Sequence, residues 1–396
     1  MAENTSDRRP PFGVLLVTGS QTHQENYARG FAADSRCRLI GLTDEPDVPL
    51  RRKSLNLQLA AELNVPLLED FAVAIVRDDV DIVCVCCEPE RRSRVVAAAA
   101  AAGRHVYIDK PMTTSVDSAR QMVDAIQRAG VRSQMFSLVR SPVAQRAKEV
   151  VDSGRLGTLY SLSCELMFAK GIAGTADLSQ PRQEEATAGN FTFLDSKREL
   201  FCVGLYPLVL YQWLTGAAYE TVYGTTGNYF FREHQQNNVE DFSSLLLRMT
   251  NGVEGTIFVG RAGWSSHPSH GVHQIRLTGS EGSILLDAYR PRLEIFSDAP
   301  PFQQPARPHP EDPMGFWSST VQENGIAPKE SWWPVASPQQ SDMACFVDCI
   351  EQDRESDVSA LVGARAVEAI LAGYRSAAAG QPVSTEAFPP EPAGSL

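Results

Sequence analysis

The first third of the chain alternates short apolar runs with amphipathic segments. The runs have the continuous hydrophobicity of parallel strands that are covered on both faces, and the segments between them have helical spacing, as at residues 91–102. We predict strands at residues 12–18, 37–43, 65–68, 80–87, 105–109 and 131–138. Strands that alternate with helices indicate a doubly wound α/β unit with a parallel sheet.

The pattern changes after about residue 140. Helices are predicted at residues 143–153, 201–214, 343–350 and 358–377. The runs between them have period two and are joined by short turns, which is typical of antiparallel hairpins. These runs lie at residues 158–168, 221–231, 242–250, 253–259, 272–278, 282–286 and 293–296. This order predicts an α+β unit with a large, mostly antiparallel open sheet.

We therefore expect two domains, an α/β domain over residues 12–139 and an α+β domain over residues 140–380. The polar start, residues 1–11, is expected to be a disordered tail, and the proline-rich end, residues 381–396, a flexible one. The proline-rich segment 299–338 is interpreted as a functional loop or an interface cover, because so long a loop is unusual in a compact domain.

Charge and composition exclude some classes of partner. The formal net charge of −12 argues against a nucleic-acid-binding surface, which needs a basic face. No apolar run approaches the length of a membrane span, so no membrane partner is expected. The polar start lacks the apolar core of a secretory signal, and the eight cysteines are interpreted as buried free thiols. We expect a cytoplasmic protein.

A nucleotide-binding unit is indicated at the start of the chain. The first strand is followed by Gly19, a helix that contains Tyr27, and a second strand that ends at Asp44. Gly19 permits a tight turn, and the N-terminus of the helix offers amide groups to a pyrophosphate. Asp44 would accept hydrogen bonds from a ribose 2′-hydroxyl and repel a 2′-phosphate. The pattern predicts a Rossmann domain that binds NAD, with NADP the less favoured cofactor.

The glycine fingerprint of this unit is degraded. Gln21 and Gln24 occupy the positions where the second and third glycines are expected. Gln21 places a side chain where the backbone of the loop normally approaches the phosphate. We nevertheless predict Gly19, Gln21 and Thr22 as cofactor-binding residues. The alternative is an α/β crossover that binds no nucleotide.

Two more candidates follow strands at the edge where ligands of open sheets bind. Glu88 comes after the fourth strand, and Asp109-Lys110-Pro111 comes after the fifth. A lysine held at the end of a parallel strand is well placed to act on a bound substrate. The alternative for Lys110 is a solvated lysine at a strand end.

Four motifs together resemble the Gfo/Idh/MocA oxidoreductase family, and the resemblance spans residues 12–375. They are the strand–Gly19–helix start, Glu88-Pro89, the stretch Gly-Arg-His-Val-Tyr-Ile-Asp-Lys-Pro at residues 103–111, and Asp-Ser-Gly-Arg-Leu-Gly at residues 152–157. The third is similar to the family pattern G-K-H-V-x-x-E-K-P and is the most specific. The family implies NAD(P)-dependent hydride transfer at a hydroxyl-bearing carbon of a sugar, a polyol or a related compound.

The resemblance also implies roles for single residues. Lys110 would hydrogen-bond the reacting hydroxyl and help to remove its proton, helped by a lowered pKa. Asp109 would contact the cofactor's ribose, and Arg140 would lie near the nicotinamide or the substrate. The second domain would bind substrate and form a homodimer or homotetramer through the open face of its sheet.

A second motif of the family, G-x-x-x-D-x-G-x-H, is altered in this chain. Gly204 is retained, Cys202 stands at the aspartate position, and Tyr206 stands at the histidine position. We predict Lys110 and Tyr206 as the acid–base couple, with the carboxylate missing. The alternative for Tyr206 is a packed tyrosine at the start of a helix.

No metal site is expected. His267, His270 and His273 are spaced by three and could bind zinc beside an acid, but Pro268 and Gly271 break any helix, and on a strand the three would not share a face. A contact from one histidine to a sugar hydroxyl is favoured. Further candidates for lining the cleft are Lys197, Arg198, His234, Glu240 and Asp241.

Three functions remain open from the sequence. The preferred one is an NAD-dependent oxidoreductase that acts on a carbohydrate-like substrate. The second is a lyase or hydrolase that holds NAD tightly and oxidises its substrate only transiently. The third is a sensor that binds NAD without catalysis, which the lost glycines and the missing aspartate favour and the retained Lys110 disfavours.

Overall fold

The computed structural model describes residues 11–19, 23–46, 50–179, 182–187, 189, 191, 197–264, 267–268, 270–297, 311, 328–334 and 341–388. The tail predicted to be disordered lies outside these residues except at its last position, and so does most of the 299–338 segment. None of the helices within the described ranges is long and apolar enough to cross a membrane.

The first part of the chain forms a six-stranded parallel sheet with the strand order β3-β2-β1-β4-β5-β6. Its strands are β1 (Phe12–Val17), β2 (Cys37–Thr43), β3 (Leu67–Leu68), β4 (Ile82–Val85), β5 (His105–Ile108) and β6 (Ser133–Met135). The helices are α1 (Gln24–Ala32), α2 (Leu50–Leu63), α3 (Phe71–Ile75), α4 (Arg92–Ala101) and α5 (Val116–Ala129). This confirms the predicted parallel α/β unit; α2 has no counterpart among the predicted elements.

The second sheet has nine strands in the order β14-β13-β12-β11-β7-β10-β9-β8-β15. Its strands are β7 (Leu159–Phe168), β8 (Tyr219–Gly227), β9 (Phe242–Met249), β10 (Glu254–Arg261), β11 (Val272–Gly279), β12 (Gly282–Asp287), β13 (Arg292–Ser297), β14 (Glu330–Trp332) and β15 (Val383–Ser384). The helices are α6 (Pro142–Asp152), α7 (Glu199–Val203), α8 (Leu205–Thr215), α9 (Arg232–Gln236), α10 (Asp342–Glu351) and α11 (Ala360–Ala379). Only β7 and β10 pair in parallel, which confirms the large, mostly antiparallel sheet.

Apolar clusters cover both faces of the first sheet. Along β1, Val14 and Leu16 belong to one cluster, and Leu15 and Val17 belong to the other. Because successive strand residues point to opposite faces, every position of such a strand must be apolar. This explains why the first predicted strand is a continuous apolar run and not an alternating one.

One helix of the predicted second domain packs against the first sheet. Helix α10 belongs to the second domain by sequence, but its Phe346 and Ile350 are buried in the apolar cluster of α1 and the first sheet. The hydroxyl of Tyr107 on β5 donates to the carboxylate of Asp342 at 2.6 Å. A contact between segments so far apart in the chain leaves no local pattern, so the sequence alone does not reveal it.

Three other elements differ from prediction. The helix predicted at residues 201–214 is divided at Gly204, where a Cβ atom would lie 2.6 Å from the carbonyl oxygen of Leu200. The strand predicted at residues 221–231 ends at Gly227, and Phe231 precedes the short helix α9. The tail predicted to be flexible pairs with β8 through β15, and Phe388 is buried, because the edge of β8 has backbone groups that need partners.

Helix α11 joins the two parts of the molecule. It packs on α5 of the first part and on α8 of the second. Just before it, the carbonyl of Val358 accepts a hydrogen bond from the amide of Met135 at 2.8 Å, and the hydroxyl of Ser133 accepts one from the amide of Ala360 at 3.0 Å. The carboxyl edge of the first sheet thereby faces α7 and the end of β10 across a cleft.

Candidate active site

A cavity of about 380 Å³ occupies this cleft. Lys110 and Pro111 reach it from the end of β5, Cys202 and Tyr206 from the α7–α8 segment, and Arg261 from the end of β10. The cavity therefore brings together the predicted pair Lys110 and Tyr206, which are far apart in the sequence. The candidate Lys197 lines it as well.

The end of β5 is fixed by a buried arginine. Arg92, at the start of α4, donates to the carboxylate of Asp109 at 2.8 Å and to the carbonyl oxygens of Asp109 and Cys87, both at 2.6 Å. It also donates to the carbonyl of Pro111. A guanidinium with acceptors on both sides of Lys110 holds the backbone there rigidly. Lys110 thus enters the cavity from a fixed position, as a reacting group needs.

Lys110 faces Tyr206 across the cavity. Its Nζ lies 5.1 Å from the centroid of the Tyr206 ring and donates to the carbonyl oxygen of Cys202 at 3.2 Å. Burial lowers the pKa of Lys110, but Tyr206, Cys202 and Asp109 outweigh it, so the pKa is raised above its ordinary value. The expected lowered pKa is therefore wrong. At neutral pH Lys110 is an ammonium group, suited to donating hydrogen bonds and stabilising negative charge.

Asp109 points away from the cavity. Its carboxylate is fully buried and accepts hydrogen bonds from Tyr27 at 2.5 Å and Arg92 at 2.8 Å, and it lies 3.0 Å from Nδ1 of His23. Burial raises the pKa of Asp109, but Arg92 and His23 lower it more, to about 2. The side chain has no exposed surface, and the expected contact with the cofactor's ribose stays a prediction. Asp109 orients His23, which lines the cavity.

The cavity contains a carboxylate that the sequence reasoning missed. Glu199, at the start of α7, lies one helical turn before Cys202, and its Oε1 accepts a hydrogen bond from Nε of Arg261 at 2.8 Å. Nε2 of His234 is 3.4 Å from the same oxygen. Burial raises the pKa of Glu199, but His234 and Arg261 outweigh it, so the pKa is lowered. The helical spacing of Glu199, Cys202 and Tyr206 was the signal available in the sequence.

A second cavity of about 610 Å³ continues outward from the first. Four residues line both cavities, namely Lys170, Lys197, Glu199 and Arg261. The buried His234 lines the outer one, and neither of its ring nitrogens has a hydrogen-bond partner among the described residues. The cleft is therefore long enough to hold more than the reacting part of a small substrate.

The candidates at the nucleotide end of the cleft are gathered around Arg91. Its Nη1 donates to Asp44 at 2.6 Å and to Glu45 at 2.8 Å, and its Nε donates to Glu88 at 2.6 Å. Asp44 retains a small exposed surface, and the Thr18 hydroxyl lies 3.4 Å from its Oδ2. The arginine thus holds the acids that follow β2 and β4 in one cluster, which sequence reasoning did not predict because Arg91 belongs to no motif.

The turn after β1 is partly described. Gly19 passes so close to β4 that a Cβ atom would lie 1.8 Å from the carbonyl oxygen of Cys86, so the turn requires glycine. The side-chain amide of Gln24 donates back to the carbonyl of Gly19 at 3.1 Å, which closes the turn. Gln21 and Thr22 lie outside the described residues.

Other predicted residues lie apart from the inner cavity. Arg140 pairs with Asp357 at 2.6 Å and does not line the inner or the outer cavity. The buried side chain of Arg198 pairs with Glu240 at 3.0 Å behind α7. Asp241 accepts hydrogen bonds from three successive backbone amides, beginning with Tyr229 at 2.8 Å, and so shapes the turn that carries His234.

The three spaced histidines do not gather. His273 is buried on β11 against the ring of Tyr289, with centroids 5.6 Å apart, and burial lowers its pKa to about 4. His270 is exposed in a left-handed turn with φ of 70°. Within the described ranges no group of three His, Cys, Asp or Glu residues is arranged to hold a metal ion. Neither the inner nor the outer cavity is lined by one of these histidines, so the favoured sugar contact has no support here.

The residues at this edge fit a dinucleotide. The strand order reverses between β1 and β4, and ligands of such sheets bind in the crevice outside the carboxyl ends at that point. Asp44 follows β2 beside this crevice, and Lys110 follows β5 on its other side. The side-chain oxygen of Gln24 is buried without a partner among the described residues. Asp44 would hold the ribose of the adenosine, and the cavity at Lys110 would receive the nicotinamide.

Two sequence models of protein families match the chain. One, described as oxidoreductase family, NAD-binding Rossmann fold, matches residues 15–137. The other, the GFO/IDH/MocA C-terminal domain, matches residues 144–285. Together they cover more than half of the chain and include strands of both sheets.

Characterised proteins show weaker likeness. A dTDP-3,4-didehydro-2,6-dideoxy-alpha-D-glucose 3-reductase from Streptomyces violaceoruber is 28% identical over 260 residues, which are 62% of this chain and 66% of the relative. A levoglucosan dehydrogenase from Pseudarthrobacter phenanthrenivorans is 23% identical over 274 residues, 63% of this chain and 68% of the relative. A solved structure of levoglucosan dehydrogenase with NADH and L-sorbose has a TM-score of 0.70 at 17% identity, and the match covers 95% of this chain and 99% of that one. The last comparison shows a shared fold.

Proposed function

Because the chain belongs to the Gfo/Idh/MocA oxidoreductase family, we propose that it transfers hydride between NAD and a hydroxyl-bearing carbon of a sugar, polyol or related compound. The proposal rests on Lys110, whose Nζ lies 5.1 Å from the ring of Tyr206 in a cavity at the carboxyl edge of the first sheet. The two relatives named for sugar chemistry, a sugar 3-reductase and levoglucosan dehydrogenase, support the substrate class.

The chain's residues divide the proton chemistry between them. When NAD⁺ is bound, it supplies the carbon that accepts the hydride. Lys110, held as an ammonium, donates a hydrogen bond to the reacting oxygen and stabilises the negative charge that develops there. The Tyr206 oxygen would take up the proton of the substrate's hydroxyl as the phenol releases its own proton to water in the open cleft. Arg92 keeps Lys110 in place, so the reacting oxygen meets a preorganised donor.

We propose NAD as the preferred cofactor. Asp44 follows β2, where the 2′-position of the adenosine ribose lies in folds of this kind. Its carboxylate would accept a hydrogen bond from the 2′-hydroxyl and repel a 2′-phosphate. The pairing of Arg91 with Asp44, Glu45 and Glu88 supports this, because that cation is already neutralised by acids.

The test is a spectrophotometric assay with NAD⁺ and NADP⁺ against a panel of sugars and polyols. We expect NADH to form with at least one compound, more efficiently than NADPH. Lys110→Met should lower kcat by about 10²–10³-fold, since the hydrogen bond and the positive charge that stabilise the developing negative charge on the reacting oxygen are lost. NAD⁺ affinity, measured by calorimetry, should change little, because Asp44 and the turn at Gly19 remain.

Three outcomes would count against the proposal. Turnover that survives in Lys110→Met would remove Lys110 from the reaction. Product formed without net NADH, by protein that carries cofactor from purification, would point to the redox-assisted lyase or hydrolase. NAD⁺ binding without any turnover across the panel would point to the sensor.

We also propose that the protein is a homodimer or homotetramer. The exposed face of the second sheet carries the large apolar side chains Leu246 on β9 and Phe258 on β10, which are 55% and 44% exposed. Large apolar side chains on an exposed sheet face are typical of an interaction surface. Light scattering on the eluting protein would give its mass, and a monomer at micromolar concentration would contradict the proposal.

A further inference from the structure

The wall shared by the two cavities is positively charged, although the chain as a whole carries a net charge of −12. Lys170, Lys197 and Arg261 stand on this wall with one acid, Glu199. Lys110 adds a further cation in the inner cavity, and the exposed Glu233 lies at the outer one. A concentration of cations in a cleft of an acidic protein favours anionic ligands, because the walls focus the potential.

Arg261 is fixed in an orientation that leaves most of its donors unused. Glu199 is fully buried and binds only Nε of Arg261, at 2.8 Å. Among the described residues, Nη1 and Nη2 of Arg261 donate to no acceptor, and its side chain is about 30% exposed. Glu199 therefore orients the guanidinium and leaves a pair of parallel N–H groups, the geometry that binds two oxygens of a carboxylate or a phosphate.

Lys170 gives a second donor on the same wall. It is exposed, lies 5.4 Å from the centroid of the Phe168 ring, and forms no ion pair with any described acid. Arg261 is the last residue of β10 and pairs in parallel register with Phe168, the last residue of β7, and Lys170 lies two residues further on. The sheet therefore brings both cations to the same edge, where both line the two cavities.

Buried polar atoms on the wall also lack partners. Oε2 of Glu199 and Nδ1 of His234 form no hydrogen bond with any described residue. Buried groups of this kind are costly unless a ligand or water satisfies them. Glu199 lines both cavities and His234 the outer one, so a ligand bound against Arg261 would lie beside these residues.

We propose that the substrate is an anionic hydroxyl compound, whose carboxylate or phosphate binds Arg261 and Lys170 while its reacting hydroxyl lies at Lys110 and Tyr206. The inference rests on the proposed function for the reaction itself, and it adds the substrate's charge. A sugar acid or a sugar phosphate has this chemistry, and both groups offer the two oxygens that the guanidinium of Arg261 binds. A neutral sugar would leave the guanidinium without an acceptor.

The experiment compares matched compounds on the full-length protein. D-glucose is set against D-gluconate, D-glucuronate and D-glucose 6-phosphate, and myo-inositol against myo-inositol phosphate, in NAD⁺ reduction assays and by calorimetry with and without NADH. We expect at least one charged compound to exceed its neutral counterpart by about 10-fold or more in kcat/KM and in affinity, as for charge-assisted hydrogen bonds. The acid and phosphate arms identify which anion the wall takes.

Single substitutions test whether the preference for charged compounds comes from the cations of the wall shared by the two cavities. Arg261→Lys keeps a charge for Glu199 but loses the paired N–H groups, and Lys170→Gln removes a cation that has no internal ion pair among the described residues. Each should raise KM for the charged compound by about 10-fold, with a smaller change in kcat, and leave neutral compounds within about threefold. Arg276→Gln, which removes an exposed cation on β11 away from the cleft, is the matched control and should change neither.

A failure of the anion site and a failure of the proposed function give different results. Equal or better use of the neutral compounds, or unchanged KM in both Arg261→Lys and Lys170→Gln, would overturn the anion site while the dehydrogenase function stands. Binding of a charged compound that Arg261→Lys weakens, without NADH from any substrate, would leave the anion site in place and overturn the proposed function. Melting temperatures of the variants establish that each is folded.

Discussion

At the scale of the residue, the carboxylate of the cleft comes from a different position than the aspartate of the family motif. Cys202 stands where the family motif has aspartate, and a thiol whose pKa burial raises to about 11 carries no charge at neutral pH. Glu199 brings a carboxylate to the same cavity from one turn earlier on the helix. Arg261 and His234 lie against the charge of Glu199, so Glu199 organises the substrate wall. Among the described residues, no carboxylate in the cavity pairs with the ammonium of Lys110.

Asp342 makes stability depend on pH. Its carboxylate is buried beside Tyr107, and burial raises its pKa to about 6, above the value of about 3.9 in an unfolded chain. Between these two values the folded protein holds a proton that the unfolded chain has released. The stability from this group is therefore complete below about pH 4 and is lost as the pH rises to about 6.

We expect Asp342→Asn, which keeps an acceptor for Tyr107, to increase the free energy of unfolding by about 1–3 kcal/mol at pH 7 and by much less at pH 4. Denaturant unfolding at both pH values measures the difference. Asp117→Asn, at an aspartate whose side chain is 96% exposed on α5, is the control and should have little effect at either pH. An equal change from Asp342→Asn at both values would contradict the pKa shift.

At the scale of the element, α7 is held by a network of buried charges. Arg198, just before the helix, donates to Glu240 at 3.0 Å and to Glu184 at 2.6 Å, and its guanidinium lies 4.0 Å from the ring centroid of Tyr374. Glu240 accepts in turn from the amide of Leu200 at 3.1 Å. The network ties the first turn of α7 to α11 and to the segment before β9, and so it positions Glu199 and Tyr206.

Arg198→Met should lower the free energy of unfolding by about 3–5 kcal/mol, because Glu240 would stay buried without its cation and Glu184 would keep only its pair with Arg182. The exposed Arg248→Met, on β9, serves as the control and should change stability by less than about 1 kcal/mol. Chemical denaturation of both variants gives the comparison. If Arg198→Met were no less stable than Arg248→Met, the network would not hold the helix.

At the scale of the whole molecule, the nucleotide-binding sheet depends on the end of the chain. One of its faces is covered by α1, α2 and α10, and the ring of Phe346 on α10 lies 5.9 Å from that of Tyr107 on β5. Helix α11 and β15 return the chain to the second sheet. The two domains therefore exchange elements, and the cofactor side of the cleft is built from both ends of the sequence.

Phe346→Ala should cost about 3–5 kcal/mol of stability, the range for removing a fully buried aromatic side chain. It should also weaken NAD⁺ binding, because α1 packs in the same apolar cluster. Thermal unfolding and calorimetry provide the two readouts. Val73→Ala, at a valine that is 62% exposed on α3, is the control. Equal effects of the two changes would contradict the role assigned to α10.

Much of the fold could be predicted from local patterns. Continuous apolar runs and period-two runs depend on which faces of a strand are covered, so they distinguish the parallel sheet from the antiparallel one without any contact being known. Boundaries were less predictable where the cause lies outside the segment. The docking of α10 follows from an apolar face on a distant sheet.

The two sheets, the family and the position of the lysine at the end of β5 could be predicted from the sequence alone, because each depends on residues that are close together in the chain. The tertiary structure decided what that lysine can do. The contact of Lys110 with Tyr206 and Cys202, the burial of Asp109 under Arg92, and the pairing of Glu199 with Arg261 join residues that are at least 17 positions apart in the sequence. Charge and pKa depend on such neighbours and on burial, which no local pattern records.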